Sequence, residues 1–514
     1  MNIRRLSLYL LTISALAACG GGGGGNPADR HLSGSTLSHA NLCSPANPLA
    51  RDGSGAFLPG YHAGSIENER AFVRQYMQDQ YLWHHEMSLV APSLDAFNTS
   101  DHAGNMNRWF RSHLTTAKTA AGTFKDRFSF AMSTAEWKAS SQAGVVLGYG
   151  AQFAVLKNEV PRRVVVAYVL EGTPAARLGL QRGDEVVGVV GSQGRMIDVR
   201  NTRDQAELAE VNQRLLNPVN GQELGLSVQR AGAVQPAVQL QAGEYRANPV
   251  QISTVLDTAD GGKIGYLMFN RFILPLESAM IEAVERLKAA QVTDAVIDLR
   301  YNGGGYLYQS SQLAWMLADP ALTQGKIYER LRYNDRRQAE NQSPDSVLEF
   351  RTTSSGTDGT GTGAGRALPN LGLRRVYVLT GPDTCSASES LINGLRGVDV
   401  EIVQIGNATC GKPYGFTARD NCGMSYFPIE FVGVNAKGAN DFENGFVPTC
   451  RVDDDFSHAL GDTREGLLAA ALHHRRTGQC PTPVAAKSLG DDDASFAKPL
   501  LRLGPQFTNK FLMP

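Results

Sequence analysis

The segment VYVLTGPDTCSASESLINGLRG places a serine where an apolar strand meets a helix. The strand ends at Thr380, a turn follows, and the helix begins near Ser386. At such a turn a serine hydroxyl projects from a sharp bend, and the unpaired N–H groups of the helix start can bind an oxyanion. A serine in this position also commonly caps its helix. Taken alone, the segment therefore fits a helix cap better than a nucleophile.

Two glycine-containing loops accompany the serine segment. DLRYNGGGYL, which includes Gly304, lies upstream, and GNATCGKPYG, which includes Lys412, follows the apolar strand EIVQIG downstream. A lysine has an ordinary pKa of about 10.4, so it acts as a base near neutral pH only where burial disfavours its charged form. A loop against an apolar core, without a nearby acid, provides that environment. Serine–lysine pairs are a known variant of the serine–histidine arrangement.

Together these segments resemble the carboxyl-terminal-processing, or tail-specific, proteases, whose pattern is a DLR-N-GG loop, an SASE helix start and a T-x-GK loop. The resemblance extends to the residues that precede these segments, and in total it covers more than half of the chain. It implies peptide hydrolysis through an acyl-enzyme and without a cofactor. Since Glu389 is the glutamate of SASE, the implied nucleophile is Ser386, and the implied general base is Lys412. The implied oxyanion donors are the backbone N–H groups of Ala387 and Gly304.

Two positions depart from the pattern of that family. Many members carry a glutamine four residues after the lysine, where this chain has Phe416, and a glycine directly after it, where this chain has Pro413. The orientation of Lys412 must therefore come from other residues. One alternative function is a binding protein whose protease core has decayed. Another is a carrier of hydrophobic ligands on the same core, which would have no need for Lys412.

A region of short strands and turns, residues 143–244, precedes the core. It resembles a PDZ domain, because LGYGAQF matches the Gly-hydrophobic-Gly loop and EGTPAARLGLQRGDEVVGV matches the most recognisable stretch of such domains. The resemblance implies that Leu147, Gly148, Tyr149 and Gly150 bind the C-terminus of a peptide, which pairs with the adjoining strand. We expect the domain to recruit polypeptide substrates. The alternative is a spacer or lid that binds no peptide.

Hydrophobic periodicity organises the remaining chain. Residues 19–60 are predicted to be a tether and linker, and helical spacing predicts a small helical domain over residues 61–142. From residue 245 to residue 480 strands alternate with helices, which predicts an α/β core with a largely parallel sheet. The family resemblance makes this core a crotonase- and ClpP-like β/α spiral. The tail, residues 481–514, carries little pattern.

The first residues, MNIRRLSLYLLTISALAAC, are typical of an export signal. Two arginines precede an apolar run that is too short for a bilayer span, which needs about 20 apolar residues. Residues 1–18 end in LAA, and with Cys19 they resemble the lipobox at which bacterial lipoproteins are cleaved and lipidated. A plain secretory signal is the alternative. Gly20 after the cysteine favours the outer membrane, so we expect a lipid-anchored protein of the cell envelope that faces the periplasm.

Charge and metal-ligand patterns exclude several classes of partner. The chain has 49 basic and 50 acidic residues and no segment that concentrates Lys and Arg, so nucleic acid is not an expected partner. No cysteine pair has the CxxC spacing of a structural zinc site. Adjacent His84 and His85 point to different faces of a helix, which favours one packed and one solvated ring over a metal pair. The sequence therefore predicts no metal, and the family resemblance implies no cofactor.

Six cysteines remain besides the lipidation candidate. An even number in an oxidising compartment favours disulfides, although six cysteines allow fifteen pairings. Cys385 precedes the candidate nucleophile and Cys410 lies just before the candidate base, so we predict that these two form a bridge between the loops. Pairing with Cys422 or Cys450 and free buried thiols are the alternatives.

Overall fold

The computed structural model describes residues 38–88, 99–119, 122–246, 248–258, 260–357, 363–482 and the backbone of 510–511. The predicted export signal and the candidate lipidation residue Cys19 lie outside these ranges. Within them, no helix has both the length and the apolar character that a membrane crossing requires.

The N-terminal part contains the helices expected from its periodicity, and short strands as well. Its elements are α1 (Ile66–Gln80), α2 (His102–Arg111), α3 (Thr134–Ser141), 3-10 turns at Pro48–Ala50 and His84–Glu86, β1 (Leu42–Cys43), β2 (His62–Ala63) and β3 (Phe130–Ser133). Ser65 begins α1 in a capping box with Asn68, and the side chain of Asp101 caps α2. These polar caps satisfy N–H groups that have no partner within the helix, so they fix where each helix starts.

The second part is a mostly antiparallel β domain with its own buried cluster. Its elements are β4 (Val145–Gly148), β5 (Ala151–Lys157), β6 (Arg163–Val169), α4 (Pro174–Arg177), β7 (Glu185–Val190), β8 (Met196–Asp198), α5 (Gln205–Val211), a π turn at Asn212–Leu216, β9 (Glu223–Arg230), β10 (Ala233–Val234), β11 (Val238–Gln241) and β12 (Gly243–Arg246). The main sheet has the order β10-β9-β7-β6-β5, with β11 on β9 and β8 on β7, so β5 lies at an edge. Strands β4 and β12 pair with each other and connect this domain to the rest of the chain.

The core alternates strands and helices, as its sequence predicts. Its elements are β13 (Ile252–Asp257), β14 (Lys263–Met268), α6 (Leu276–Ala289), β15 (Asp294–Asp298), β16 (Gly305–Tyr306), α7 (Leu307–Leu317), α8 (Pro320–Thr323), β17 (Ile327–Tyr333), a 3-10 turn at Asp335–Arg337, α9 (Gln338–Gln342), a 3-10 turn at Pro344–Ser346, β18 (Val347–Glu349), β19 (Arg375–Thr380), α10 (Ala387–Gly397), β20 (Glu401–Gly406), β21 (Tyr414–Gly415), β22 (Arg419–Asn421), β23 (Met424–Phe427), β24 (Phe431–Val434), β25 (Cys450–Arg451) and α11 (Gly466–Thr477).

The central sheet of the core has the order β13-β14-β15-β19-β20-β25. All neighbours from β14 to β25 are parallel, and only β13 is antiparallel. Every residue of β15 is buried, because helices cover both faces of the sheet. The expectation of a mixed α/β core with a largely parallel sheet is therefore confirmed.

Three neighbouring strands of this sheet carry the three sequence motifs at their carboxyl ends. The DLR-N-GG loop follows β15, the serine turn follows β19, and the lysine loop follows β20. Carboxyl ends of adjacent parallel strands open at the same edge, which is where sites form in α/β sheets. The topology thus brings together segments that are far apart in sequence.

The N-terminal part is not a separate helical unit, because it is built into the core. Strand β3 pairs antiparallel with β23, about 290 residues away in sequence. One buried aromatic cluster contains Phe72, Trp109 and Phe130 from the N-terminal part and Phe416 and Tyr426 from the core. The small sheet β22-β23-β3 therefore joins the two parts.

The tail contributes one described element, although its sequence carries little pattern. Strand β26 (Lys510–Phe511) pairs in parallel with β16. The other edge of β16 is occupied by Phe272, which bridges to Gly305. Strand β26 thus lies beside the glycine loop that follows β15.

Candidate active site

Ser386 has a strained backbone at the start of α10. Its φ is 62° and its ψ is −114°. Such a conformation in a residue other than glycine costs about 1–3 kcal/mol and is concentrated at functional sites. The side chain is fully buried, and Oγ has no hydrogen-bond partner among the described residues. The turn has the Ser-x-x-Glu arrangement of a capping box, in which Glu389 accepts the Ser386 N–H, but no hydrogen bond from the described residues occupies the serine hydroxyl itself.

The other two serines of this turn have structural roles. Ser388 Oγ is 3.0 Å from both the carbonyl oxygen and Oδ1 of Asn302, and Ser390 Oγ donates to the carbonyl of Ser386 at 3.3 Å. Their hydroxyls tie α10 to the loop after β15 and to its own first turn. Among these three described serines, only Ser386 has a hydroxyl without a partner.

Glu389 gathers the serine turn and the lysine loop on one carboxylate. Its Oε2 accepts the backbone N–H groups of Ser386 at 2.9 Å and Lys412 at 2.8 Å. Its Oε1 accepts the Thr409 hydroxyl at 2.6 Å and the Gly411 N–H at 2.8 Å. Complete burial raises the pKa of the Glu389 carboxyl, and the four donated hydrogen bonds oppose that rise. Because both backbone amides meet one oxygen atom, Glu389 fixes the two loops against each other.

The predicted disulfide between the same loops is confirmed. Cys385 is bonded to Cys410, and the other two bridges are Cys43–Cys422 and Cys450–Cys480. The alternative pairings of the catalytic-loop cysteines are therefore wrong. A covalent bond thus reinforces the carboxylate contact directly beside Ser386.

Removing this bridge will affect activity more than its contribution to stability explains. We expect a Cys385→Ser, Cys410→Ser double variant to lose about 3 kcal/mol of unfolding free energy, and also to lose peptidase activity because the two loops separate. The matched control is the Cys450→Ser, Cys480→Ser variant, whose bridge spans 30 residues against 25 and whose Cys450 belongs to a different hydrophobic cluster from Cys385. Urea unfolding and initial cleavage rates measure the two effects. Equal activity loss in both variants would contradict a specific role for the first bridge.

Lys412 is fully buried against aromatic rings. Its Nζ lies 4.5 Å from the ring centroid of Phe416 and 5.2 Å from that of Phe128. The preceding Gly411 has φ 83°, and a Cβ there would lie 2.2 Å from the carbonyl oxygen of Glu443. The loop therefore requires glycine at this position. With Ser386 also buried, the candidate site is closed to solvent in this conformation.

The two predicted oxyanion donors differ in their availability. Ala387 is the first residue of α10, so its N–H has no partner within the helix. The N–H of Gly304 donates to Oδ1 of Asn302 at 2.9 Å. The carbonyl of Asn302 also accepts the N–H of Cys385 at 3.1 Å. To bind an oxyanion, Gly304 would have to exchange the Asn302 side chain for the substrate oxygen.

The charged residues of the DLR motif stabilise the loop rather than face the serine. The buried guanidinium of Arg300 pairs with Asp298 at 2.8 Å, Asp454 at 2.7 Å and Glu465 at 2.6 Å. Burial alone would raise the pKa of Asp454, but the charges of Arg300 and Arg182 outweigh it and hold that pKa below its ordinary value. Arg182 belongs to the β domain and contacts Asp454 at 2.6 Å. This network therefore links that domain to the strand that precedes the glycine loop.

The candidate peptide-binding loop lies beside the edge strand β5. Leu147 and Gly148 end β4, and Leu147 is 45% exposed. Tyr149 is buried, and its hydroxyl donates to the carbonyl of Arg214 at 2.7 Å, which anchors the loop to the turn after α5. Gly150 has φ 82°, the left-handed region that favours glycine. Within the described residues β5 pairs only with β6, so its other edge is open to an added strand.

The adjacent histidines differ in burial but share one partner. His84 is buried and His85 is exposed, and their Nε2 atoms lie 2.6 and 3.1 Å from the two carboxylate oxygens of Asp335. The hydrogen bonds from His84 and His85 lower the pKa of Asp335 to about 2. Since His84 lies in the N-terminal part and Asp335 in the core, this contact adds to the link between them.

Comparisons with known proteins agree with this architecture. Residues 263–420 match the model of peptidase family S41. Carboxyl-terminal-processing peptidase 2, chloroplastic, of Arabidopsis thaliana is 26% identical over 249 residues, which are 43% of this chain and 46% of the relative. The carboxyl-terminal-processing protease of Picosynechococcus sp. is 26% identical over 181 residues, 35% of this chain and 40% of the relative. The chain thus spans about half or less of the length of these curated relatives.

A solved structure shares the fold over most of the chain. The crystal structure of an S41 protease from Bacteroides fragilis superposes with a TM-score of 0.59 at 23% identity, covering 82% of this chain and 99% of that one. The fold is therefore the one that this S41 protease structure has, and the core segment matches a serine peptidase family. Residues 263–420 are thus similar to peptidase family S41, and the matched relatives are carboxyl-terminal-processing proteases.

Sequence reasoning missed several residues that shape the site. The family motifs located Ser386 and Lys412, but they gave no role to Asn302 or Thr409. Phe128 comes from the N-terminal part, and its short segment DRFSF has no feature that distinguishes it from ordinary core. Its contact with Lys412 therefore follows only from the three-dimensional structure.

Proposed function

We propose that this protein is a serine endopeptidase that cleaves polypeptides through an acyl-enzyme. One observation carries the proposal: the buried, unpartnered hydroxyl of Ser386 lies on a strained turn whose backbone shares a carboxylate oxygen with the Lys412 loop. The family assignment supports the same reaction class. Phe416 was the argument for a decayed protease, but its ring lies against Lys412 rather than displacing it.

In the proposed reaction, Ser386 Oγ attacks the substrate carbonyl carbon while the Lys412 amine takes the hydroxyl proton. The N–H of Ala387, with that of Gly304 once it leaves Asn302, stabilises the oxyanion. The lysine then donates its proton to the leaving amine. A water molecule, deprotonated by the Lys412 amine, attacks the acyl carbonyl carbon, and the lysine returns that proton to Ser386 Oγ as the acid product leaves. No cofactor enters any step.

The test compares purified wild type with the Ser386→Ala variant on an unstructured polypeptide and with a serine-reactive fluorophosphonate. We expect cleavage and labelling by the wild type only, with the probe recovered on the peptide that contains Ser386. A folded wild type that neither cleaves nor labels would favour a binding protein with a decayed core.

We further propose that the PDZ-like domain recruits substrates by their C-termini. The N–H groups around Gly148 and Gly150 would hold the terminal carboxylate, and the open edge of β5 would pair with the peptide backbone. Small or apolar side chains at alternate peptide positions would fill the groove.

Amidating the C-terminus of a peptide substrate should therefore raise KM and slow cleavage, because amidation removes the charge and one acceptor oxygen. The measurement uses one sequence with a free and an amidated end. A control is a longer peptide in which a polar extension follows the same sequence, so that the original C-terminus is no longer at the end of the chain. Equal rates for the free and amidated forms would instead support a spacer or lid.

Export and lipid anchoring through Cys19 are also proposed, on the basis of the lipobox-like LAAC. We expect fatty-acid labelling of the wild type and loss of the label in Cys19→Ser, which should move to the soluble periplasmic fraction. A wild type that is processed but unlabelled and soluble would show that the N-terminal segment is a plain secretory signal.

A further inference from the structure

One segment of the N-terminal part reaches the loop that carries Lys412. The side chain of Arg127 donates through Nη2 to the carbonyl of Cys410 at 2.9 Å, and lies 3.4 Å from the carbonyls of Gly411 and Glu443. A guanidinium that bridges several carbonyls fixes a loop, because its donors have a rigid planar geometry. The Lys412 loop is thus held from outside the core as well as by Glu389.

The next residue of that segment contacts the lysine side chain itself. The rings of Phe128 and Phe416 both lie within cation–π distance of Lys412 Nζ, at 5.2 and 4.5 Å. Phe416 is in turn packed edge-on by Phe130 at 5.8 Å and by Phe427 at 5.5 Å. The amine therefore lies between two rings whose positions are set by packing between the N-terminal part and the core.

Phe416 stands at the position for which the motif pattern that this chain resembles has a glutamine. A glutamine would orient the amine through one directed hydrogen bond. Aromatic faces attract an ammonium through their quadrupole and accept weak N–H contacts from a neutral amine, so they hold the group in both protonation states. They also exclude water from the surroundings of the amine, which is fully buried.

We propose that Arg127 and Phe128 are positioning residues of the catalytic site, so that the N-terminal part completes the site by holding Lys412 against Phe416. The inference rests on the proposed function, because it assigns the lysine a catalytic role. The competing explanation is ordinary packing, since Phe128 is only 7% exposed and belongs to the large aromatic cluster. The two explanations differ in whether a change at Phe128 affects kcat beyond its effect on stability.

The decisive variants are Phe128→Leu and Phe128→Tyr in the full chain. Leucine keeps an apolar side chain but loses the ring face, whereas tyrosine keeps the ring. The matched control is Phe110→Leu. Phe110 is fully buried in the same aromatic cluster, and the centroid of its ring lies 5.9 Å from that of Tyr426. Thermal midpoints, kcat and KM are measured for all three, with Arg127→Ala and Arg127→Lys as a second pair.

We expect kcat to fall between about 10-fold and 100-fold in Phe128→Leu with KM nearly unchanged, because misplacing a reacting group by about an ångström has effects of this size. Phe128→Tyr should restore most of kcat, and Phe110→Leu should lower the thermal midpoint while kcat stays near the wild-type value. Arg127→Ala should lower kcat, and Arg127→Lys should restore part of it.

Two other results have different consequences. If Phe128→Leu and Phe110→Leu lower kcat equally at equal loss of stability, the positioning role is wrong although the peptidase proposal stands. If the wild type itself shows no Ser386-dependent cleavage, the proposed function is wrong, and the positioning role that rests on it is wrong as well.

Discussion

Replacing Ser386 with alanine will lower peptide hydrolysis by at least about 10³-fold, and Lys412→Ala will fall to the same floor. The two effects should not add, because Ser386 and Lys412 belong to one catalytic unit that either substitution disables. The double variant should therefore match the single ones. Initial rates on an unstructured polypeptide, with circular dichroism to verify folding, measure this outcome.

Two further variants make the assignment specific. Lys412→Arg should not restore activity, since a guanidinium does not release its proton at any relevant pH. Ser388→Ala should lower stability, because Ser388 bonds both oxygens of Asn302, but it should keep the acylation step. An inactive Ser388→Ala beside an active Ser386→Ala would show that the motif is aligned incorrectly.

Glu389→Ala will destabilise the protein by about 1–3 kcal/mol for each buried donor that it leaves unsatisfied, and it will remove activity. The substitution leaves four buried donors without an acceptor, and it releases the backbone of Ser386 from that of Lys412. Glu389→Gln should fall between the wild type and Glu389→Ala. Its amide oxygen keeps one pair of donors, but its NH₂ group faces the other pair. Urea unfolding and cleavage rates of the two variants test this order.

Thr409→Val is the control for the Glu389 series. It removes one of the four donors to Glu389 and also the acceptor of the Phe446 N–H, so we expect a loss of about 1–3 kcal/mol and a modest effect on rate. If Glu389→Ala keeps both stability and activity, the carboxylate does not hold the loops together.

The strand–helix alternation of the core could be predicted because it depends on the hydrophobic pattern of short, local segments. Apolar strands alternate with helices from residue 245, and each of the three motifs directly follows one strand. Parallel strands then place the motifs at one edge of the sheet. The bridge between Cys385 and Cys410 followed from the same reasoning, since the two cysteines flank loops that had to meet.

The N-terminal contribution could not be predicted, because it depends on contacts between distant segments. The four residues of β3 show no strong alternation, and their pairing with β23 spans nearly the whole core. The position of Phe128 over Lys412 depends on that pairing. Likewise, only the three-dimensional structure distinguished the unpartnered hydroxyl of Ser386 from the bonded hydroxyl of Ser388.

The complete burial of Ser386 and Lys412 has a kinetic consequence. A substrate reacts only with molecules that have opened, so each apparent rate constant is the intrinsic one multiplied by the open fraction. A ligand that binds the open form more tightly raises that fraction, and it accelerates labelling without altering the chemistry at the serine. Under the proposed function, turnover would therefore be governed by a population equilibrium as well as by the reactivity of Ser386.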